Sequence, residues 1–95
     1  MKTIWLPWAI QDLSHIREYI AEKNPSAAKM VAHKIIKTVQ LLSEQPYLDK
    51  ITDIEDVYEK QVVDLPYLIP YRVMNNQLQI LRIFHESQQK PQKWF

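Results

Sequence analysis

Arg72, Arg82 and His85 are the side chains of this 95-residue sequence whose types could together act on a phosphodiester. Cutting RNA with its own 2′-hydroxyl needs a group to remove that proton and a group to protonate the leaving oxygen. It also needs positive charge on the phosphate as negative charge builds. Two arginines and a histidine supply those parts only where they share a surface, and that depends on the hairpin between the last two strands. With Asn75-Asn76 as a two-residue turn, Met74 pairs with Gln77 and the two arginines fall on opposite faces. A three-residue loop through Gln77 would put them together. The alternation of Leu78 and Ile80 with Gln77 and Gln79 favours the two-residue turn, which weighs against a joint catalytic role. Each residue also has a plain structural reading. Arg72 is then an exposed strand residue, Arg82 an ion-pair partner of Asp12 or Glu59 among apolar neighbours, and His85 a strand-end histidine bonded to backbone.

Other chemistries are excluded by composition. With no glycine, phosphate-cradling loops and dinucleotide fingerprints are ruled out. With no cysteine, so are disulfides, thiolate chemistry and Cys-ligated zinc. His15 and His33 fall on different expected helices without a second histidine at i+4, so no metal and no cofactor are expected. A formal net charge of +1 removes bulk electrostatics as a reason to bind nucleic acid, so any such contact must be local. Lys29, Lys34 and Lys37 with His33 form a basic helix face, and Asp53, Glu55 and Asp56 an acidic loop; both read first as solvated. Trp94 and Phe95 each forfeit about 1.5 to 3 kcal/mol if left in water. They are expected either to dock on the domain's own helices or to anchor a partner.

The elements that must carry these residues follow from periodicity. Thr3 to Leu6 is a short β-forming run stopped by Pro7. Beyond Trp8, Ala9, Leu13, Ile16 and Ile20 line one face of a helix. Asn24-Pro25 starts a second helix, because the Asn oxygen accepts orphan N–H groups and Pro at the first position loses no needed donor. Ala28, Val31, Ala32, Ile35, Val39 and Leu42 continue it until Pro46 ends it near Glu44 or Gln45. The short link makes the helices an antiparallel hairpin. Tyr47 to Ile54 is expected as a loop. Val57 to Val63, Tyr67 to Met74 and Leu78 to His85 form an antiparallel meander, with Pro66 and Pro70 interrupting the ladder of the middle strand.

The whole predicts one α+β domain over residues 1–95, in the order β-α-α-β-β-β, with an N-terminal strand and a two-helix hairpin packed on one face of a twisted antiparallel sheet. The other face stays partly open for binding. A hydrophobic content of 46% is well above that of disordered chains, so the domain should fold. Apolar stretches fall short of the roughly 20 residues that cross a bilayer, and no leader-like segment opens the chain. The cytoplasm is therefore expected, with no membrane contact.

Ala9, Asp12-Leu13, Ile16, Tyr19-Ile20, Asn24-Pro25, Ala27-Ala28, Leu42 and Pro46 resemble the amino-terminal half of RelE/ParE toxins. The stretch from Pro66 to Val73, then Ile80 to His85 and Gln88, resembles the paired strands that end many members of that superfamily. A loop glycine usual after the second helix is replaced by Leu48-Asp49-Lys50. The resemblance implies a toxin that arrests bacterial growth when free and is neutralised by a cognate antitoxin whose disordered segment wraps it. RelE-like members cut messenger RNA in the ribosomal A site, whereas ParE-like members poison DNA gyrase without known hydrolytic chemistry. RelE-like nucleases often carry an arginine three residues before the tyrosine of the third sheet strand; Leu68 stands there, and a leucine cannot hold a phosphate. The expectation is therefore a ParE-like toxin of the plasmid-stabilising kind, contacting antitoxin or target through Arg72, Arg82, His85, Trp94 and Phe95. The alternatives are a RelE-like endoribonuclease using Arg72, Arg82 and His85 on the ribosome, and a non-toxic binding module of the same fold. The sequence leaves open a homodimer or a toxin-antitoxin hetero-oligomer.

Overall fold

The computed structural model describes residues 1–46 and 50–88, and of Lys50 the backbone alone. Strand β1 (Lys2–Trp5) leads into helix α1 (Pro7–Ala21), and helix α2 (Pro25–Leu42) follows after a three-residue link. Pro7 occupies the first turn of α1, where its missing N–H costs nothing. Asn24 caps α2, its side-chain oxygen accepting from Ala27 N–H at 3.1 Å. The helix stops at Leu42, slightly before the expected Glu44 or Gln45, where the Ser43 hydroxyl donates to the Gln40 carbonyl at 2.7 Å. Pro46 then turns the chain toward the sheet, where its carbonyl accepts a 2.6 Å bond from the buried Tyr71 hydroxyl.

The remaining strands are β2 (Lys50–Ile51), β3 (Tyr58–Gln61), β4 (Tyr67–Met74), β5 (Gln77–Ile80) and β6 (Phe84–His85). They order as β1-β5-β4-β3-β2, with β6 also on β4. The helix hairpin packs on this sheet as expected, and three details correct the sequence reading. First, the sheet is mixed, because β1 runs parallel to β5 at one edge. The Leu6 N–H extends that pairing to the Ile80 carbonyl at 3.0 Å, tying the start of α1 to the sheet. Second, Lys50 and Ile51, taken as loop, pair with β3. Their turn is held by Thr52, whose hydroxyl donates to the Val57 carbonyl at 2.8 Å and accepts from Ile54 N–H at 3.1 Å.

Third, the strand expected from Leu78 to His85 is broken. Tyr71 pairs with Ile80 and Leu68 with Phe84, so β4 advances three residues while its partner advances four. The extra residue is a bulge. Pro70 is its physical cause: it accepts from Leu81 N–H at 3.0 Å but has no N–H to return.

The core lies between helices and sheet. Ala9, Ile35, Val39 and Leu42 meet Ile69, Tyr71, Leu78, Ile80 and Ile83, all fully or nearly buried. Each large aliphatic side chain there contributes about 1.5 to 3 kcal/mol by leaving water. A second, smaller cluster of Val57, Leu81 and Phe84, flanked by Leu6, Ile54 and Leu68, is separate from the main core, and Leu68, alternating with the core residues Tyr67 and Ile69, places it on the side away from the helices.

Candidate binding surfaces

The β4–β5 turn decides where the arginines point. Asn75 and Asn76 both take positive φ, 55° and 58°, as the tight two-residue hairpin turn requires. Met74 therefore pairs with Gln77 and Arg72 with Gln79. Tyr71, Val73, Leu78 and Ile80 face the helices, so Arg72, Gln77 and Gln79 face the opposite side. There the Arg72 Nε–H donates to Gln79 Oε1 at 2.7 Å, and the Gln79 amide donates to Gln77 Oε1 at 3.2 Å. This chain of bonds fixes a half-buried guanidinium across the strand pair.

Arg82 sits on the helix side, beyond the bulge. Its Nε and one Nη donate to the two Asp12 carboxylate oxygens of α1 at 2.7 and 3.0 Å. Asp12 Oδ2 also accepts from Ile83 N–H at 3.0 Å, and the guanidinium carbon lies 5.1 Å from the centre of the Trp8 ring. The pair is mostly shielded, its side chains being 22% and 15% exposed. Fork geometry, a backbone donor and a cation on an aromatic face make this a joint between α1 and the sheet, as the structural reading of Arg82 anticipated.

His85 pairs with Tyr67 across β6 and β4, their rings meeting edge-on at 5.5 Å. Its Nδ1 accepts from Ser87 N–H at 3.1 Å and lies 2.7 Å from the Ser87 hydroxyl. Beside it a cavity of about 470 Å³ is lined by His15, Ile16, Tyr19, Tyr67, His85 and Ser87. Burial, and after it the neighbouring Tyr19, raise the Tyr67 phenol above its ordinary value of 10.0. Tyr67 is therefore a neutral hydroxyl at physiological pH and no base.

The three residues weighed for phosphodiester chemistry thus do not converge on one face. Arg72 lies on the side away from the helices, Arg82 is engaged by α1, and His85 borders the α1 cavity. Trp94 and Phe95 lie outside the described residues. His15 and Tyr19 were not singled out as a pair by the sequence reading. Their spacing of four on α1 was the signal the sequence offered. Among the described residues, no three His, Cys, Asp or Glu side chains gather as they would around a metal ion. No helix among them is long and apolar enough to cross a membrane.

Comparison with known proteins agrees with this architecture. Residues 3–90 match the family model described as "ParE toxin of type II toxin-antitoxin system, parDE". The curated protein "Putative toxin Y4kP" of Sinorhizobium fredii is 35% identical over 88 residues, covering 93% of this chain and 91% of that protein. "Toxin RelE2" of Caulobacter vibrioides is 30% identical over 86 residues, covering 90% and 96%. Among solved structures, a chain of the chromosomal ParDE system from P. aeruginosa superposes with a TM-score of 0.83 at 24% identity, covering 90% of this chain and 95% of that one. The isolated E. coli RelE toxin superposes with a TM-score of 0.67 at 14% identity, covering 94% and 87%. These structural likenesses speak for the fold, and the family follows from the sequence matches. With helix hairpin, bulged mixed sheet and near full-length sequence similarity in agreement, the chain belongs to the ParE toxin family of type II toxin-antitoxin systems.

Proposed function

We propose that this chain, as one toxin domain in the bacterial cytoplasm, arrests growth by binding DNA gyrase, and that a cognate antitoxin holds it inactive. The observation that carries the reading is the division of its arginines between faces. Arg82 spends its guanidinium on Asp12, and Arg72 stands on the side away from the helices, with no histidine of the described chain beside it in the pairing register. A phosphate on either face meets one of the two arginines, not both, which favours binding over the concerted acid-base chemistry of strand cleavage. Binding without turnover asks less: a rigid surface with a fixed guanidinium and an aromatic-lined cavity provides it. Arg72 and His85 are the described residues this reading assigns to contact with antitoxin or target. Trp94 and Phe95 join them as proposed contacts, and Arg82 serves by holding α1 in place.

A ribosome-dependent endonuclease is the second reading, favoured by the similarity to Toxin RelE2 over 90% of this chain. It would require the Arg82–Asp12 pair to open on the ribosome. Induced expression in a bacterial host, with and without the protein of an adjoining short reading frame, tests the toxin assignment. Growth should stop and then be restored by the neighbour. Primer extension on translated messages from the arrested cells should show no cuts at A-site codons. Harmless expression would leave the non-toxic binding module as the answer.

A further inference from the structure

The cavity between α1 and β6 contains a polar group that the fold itself does not use. Tyr67 is only 9% exposed, and among the described residues nothing hydrogen-bonds to its hydroxyl. The Tyr19 phenol acts on it from α1, so its tip lies toward the cavity that both residues line. A hydroxyl withdrawn from bulk water normally finds a partner, and one that does not is a place for a ligand to bond. Four rings line the same cavity: His15 and Tyr19, one turn apart on α1, and Tyr67 and His85 on the paired strands β4 and β6. The Tyr67 and His85 rings stand nearly perpendicular, at 83° with centroids 5.5 Å apart, so a flat ligand lying on one meets the edge of the other. Tyr19 is 70% exposed and offers a further ring.

We infer that this cavity is a binding site for a neutral nucleobase, held by stacking on the tyrosine and histidine rings and by a hydrogen bond to the Tyr67 hydroxyl. The inference goes beyond the toxin reading and does not depend on it. Among the described residues no lysine, arginine, aspartate or glutamate lines the cavity, so neither a phosphate nor an ammonium group finds a counter-charge there. His15 and His85 are two imidazoles without a third ligand, too few to hold a metal ion. An aromatic side chain of a protein would use the rings, but a phenyl ring has no polar edge for Tyr67 and an indole has a single donor. A base carries donors and acceptors along its edges together with a π face, which matches rings set beside the Tyr67 hydroxyl and the Gln88 amide. The volume of about 470 Å³ lies within the range of small-molecule sites. A free nucleoside and an unpaired base on a single strand offer the same chemistry.

The test is a titration of the isotopically labelled full chain with adenosine, guanosine, cytidine and uridine in turn, followed by the backbone amide signals around His15 to Tyr19 and His85 to Gln88. At least one nucleoside should shift those signals saturably, with a Kd of about 0.1 to 1 mM for a ligand of this size. Tyr67→Phe keeps the ring and removes only the hydroxyl, and Tyr19→Ala changes an exposed position; each should weaken binding at least about fivefold. Lys37→Ala, exposed on α2, should leave it unchanged, and circular dichroism verifies that each variant is folded. Adenosine 5′-monophosphate should bind no tighter than adenosine. Single strands of about six residues of one base separate the two sources: affinity equal to that of the nucleoside assigns the site to the free molecule, and affinity at least about tenfold higher, still lost in Tyr67→Phe, assigns it to a strand. No saturable shift at these amides with any nucleoside or strand overturns the inference. So does affinity unchanged by Tyr67→Phe, tighter binding of phenol or indole than of every nucleoside, or tightening by the phosphate of the monophosphate.

Discussion

Replacing Asp12 with alanine removes both oxygens that hold Arg82 and the acceptor of Ile83 N–H, and the cost can be worked from the geometry. Two charge-assisted bonds of 2.7 and 3.0 Å are lost, along with one backbone bond of 3.0 Å. Stranding one member of a buried ion pair costs about 3 to 5 kcal/mol. Here the guanidinium keeps 22% of its surface in water and rests near Trp8, so some solvation and the ring contact survive. The expected loss for Asp12→Ala is therefore about 2 to 3 kcal/mol, a large share of the roughly 5 to 15 kcal/mol of a small domain. Urea unfolding with a slope near 1 kcal/mol/M should show the midpoint falling by about 2 to 3 M. Asp12→Asn keeps an acceptor for Ile83 N–H and should lose about half as much. Arg82→Met and the double variant complete a cycle, and the double variant should cost less than the sum of the singles by at least about 1 kcal/mol. A loss below about 0.5 kcal/mol for Asp12→Ala, or strict additivity, would refute the joint between α1 and the sheet. Growth arrest should weaken in parallel for the two single variants. Loss of toxicity in Arg82→Met at unchanged stability would instead make Arg82 a direct contact.

Three further outcomes follow from single groups. Tyr71→Phe should cost about 1 to 2 kcal/mol in thermal or urea unfolding, because the Pro46 carbonyl loses its 2.6 Å donor in a buried place. Asn76→Val should cost about 1 to 2 kcal/mol by forcing a β-branched residue to a φ of 58°, whereas Asn76→Gly should match or slightly exceed wild-type stability. The Tyr67 phenol is raised above 10.0 in the folded chain, so above that pH the unfolded chain gives up a proton that the folded chain keeps. Its contribution is intact below pH 10 and is lost as pH rises beyond it; the fall in unfolding midpoint above pH 10 should be shallower for Tyr67→Phe than for wild type.

Much of this molecule could be read from one sequence, for identifiable reasons. Both helices were legible because Ala9, Leu13 and Ile16, and then Val31, Ile35 and Val39, keep a helical period on faces that are buried or half-buried. The hairpin turn was legible because Asn tolerates positive φ, and with it came the placement of Arg72 and Arg82 on opposite faces. Arg82 was legible as an ion-pair residue with Asp12 among its candidate partners, but that Asp12 reaches it depended on how α1 lies on the sheet. Parallel pairing of β1 is a long-range contact that no local pattern encodes. Pro70 announced an interrupted ladder, yet not that the partner strand would take the extra residue. The cavity holding His15, Tyr19 and His85 joins positions some seventy residues apart and appears only in three dimensions.

Supercoiling of relaxed plasmid by purified gyrase, with this chain added in increasing amount, tests binding without turnover most directly. Dose-dependent loss of supercoiling with accumulation of cleaved DNA, reversed by the neutralising neighbour protein, is the result expected. Undisturbed supercoiling together with codon-specific cuts in ribosome-bound messages would contradict it.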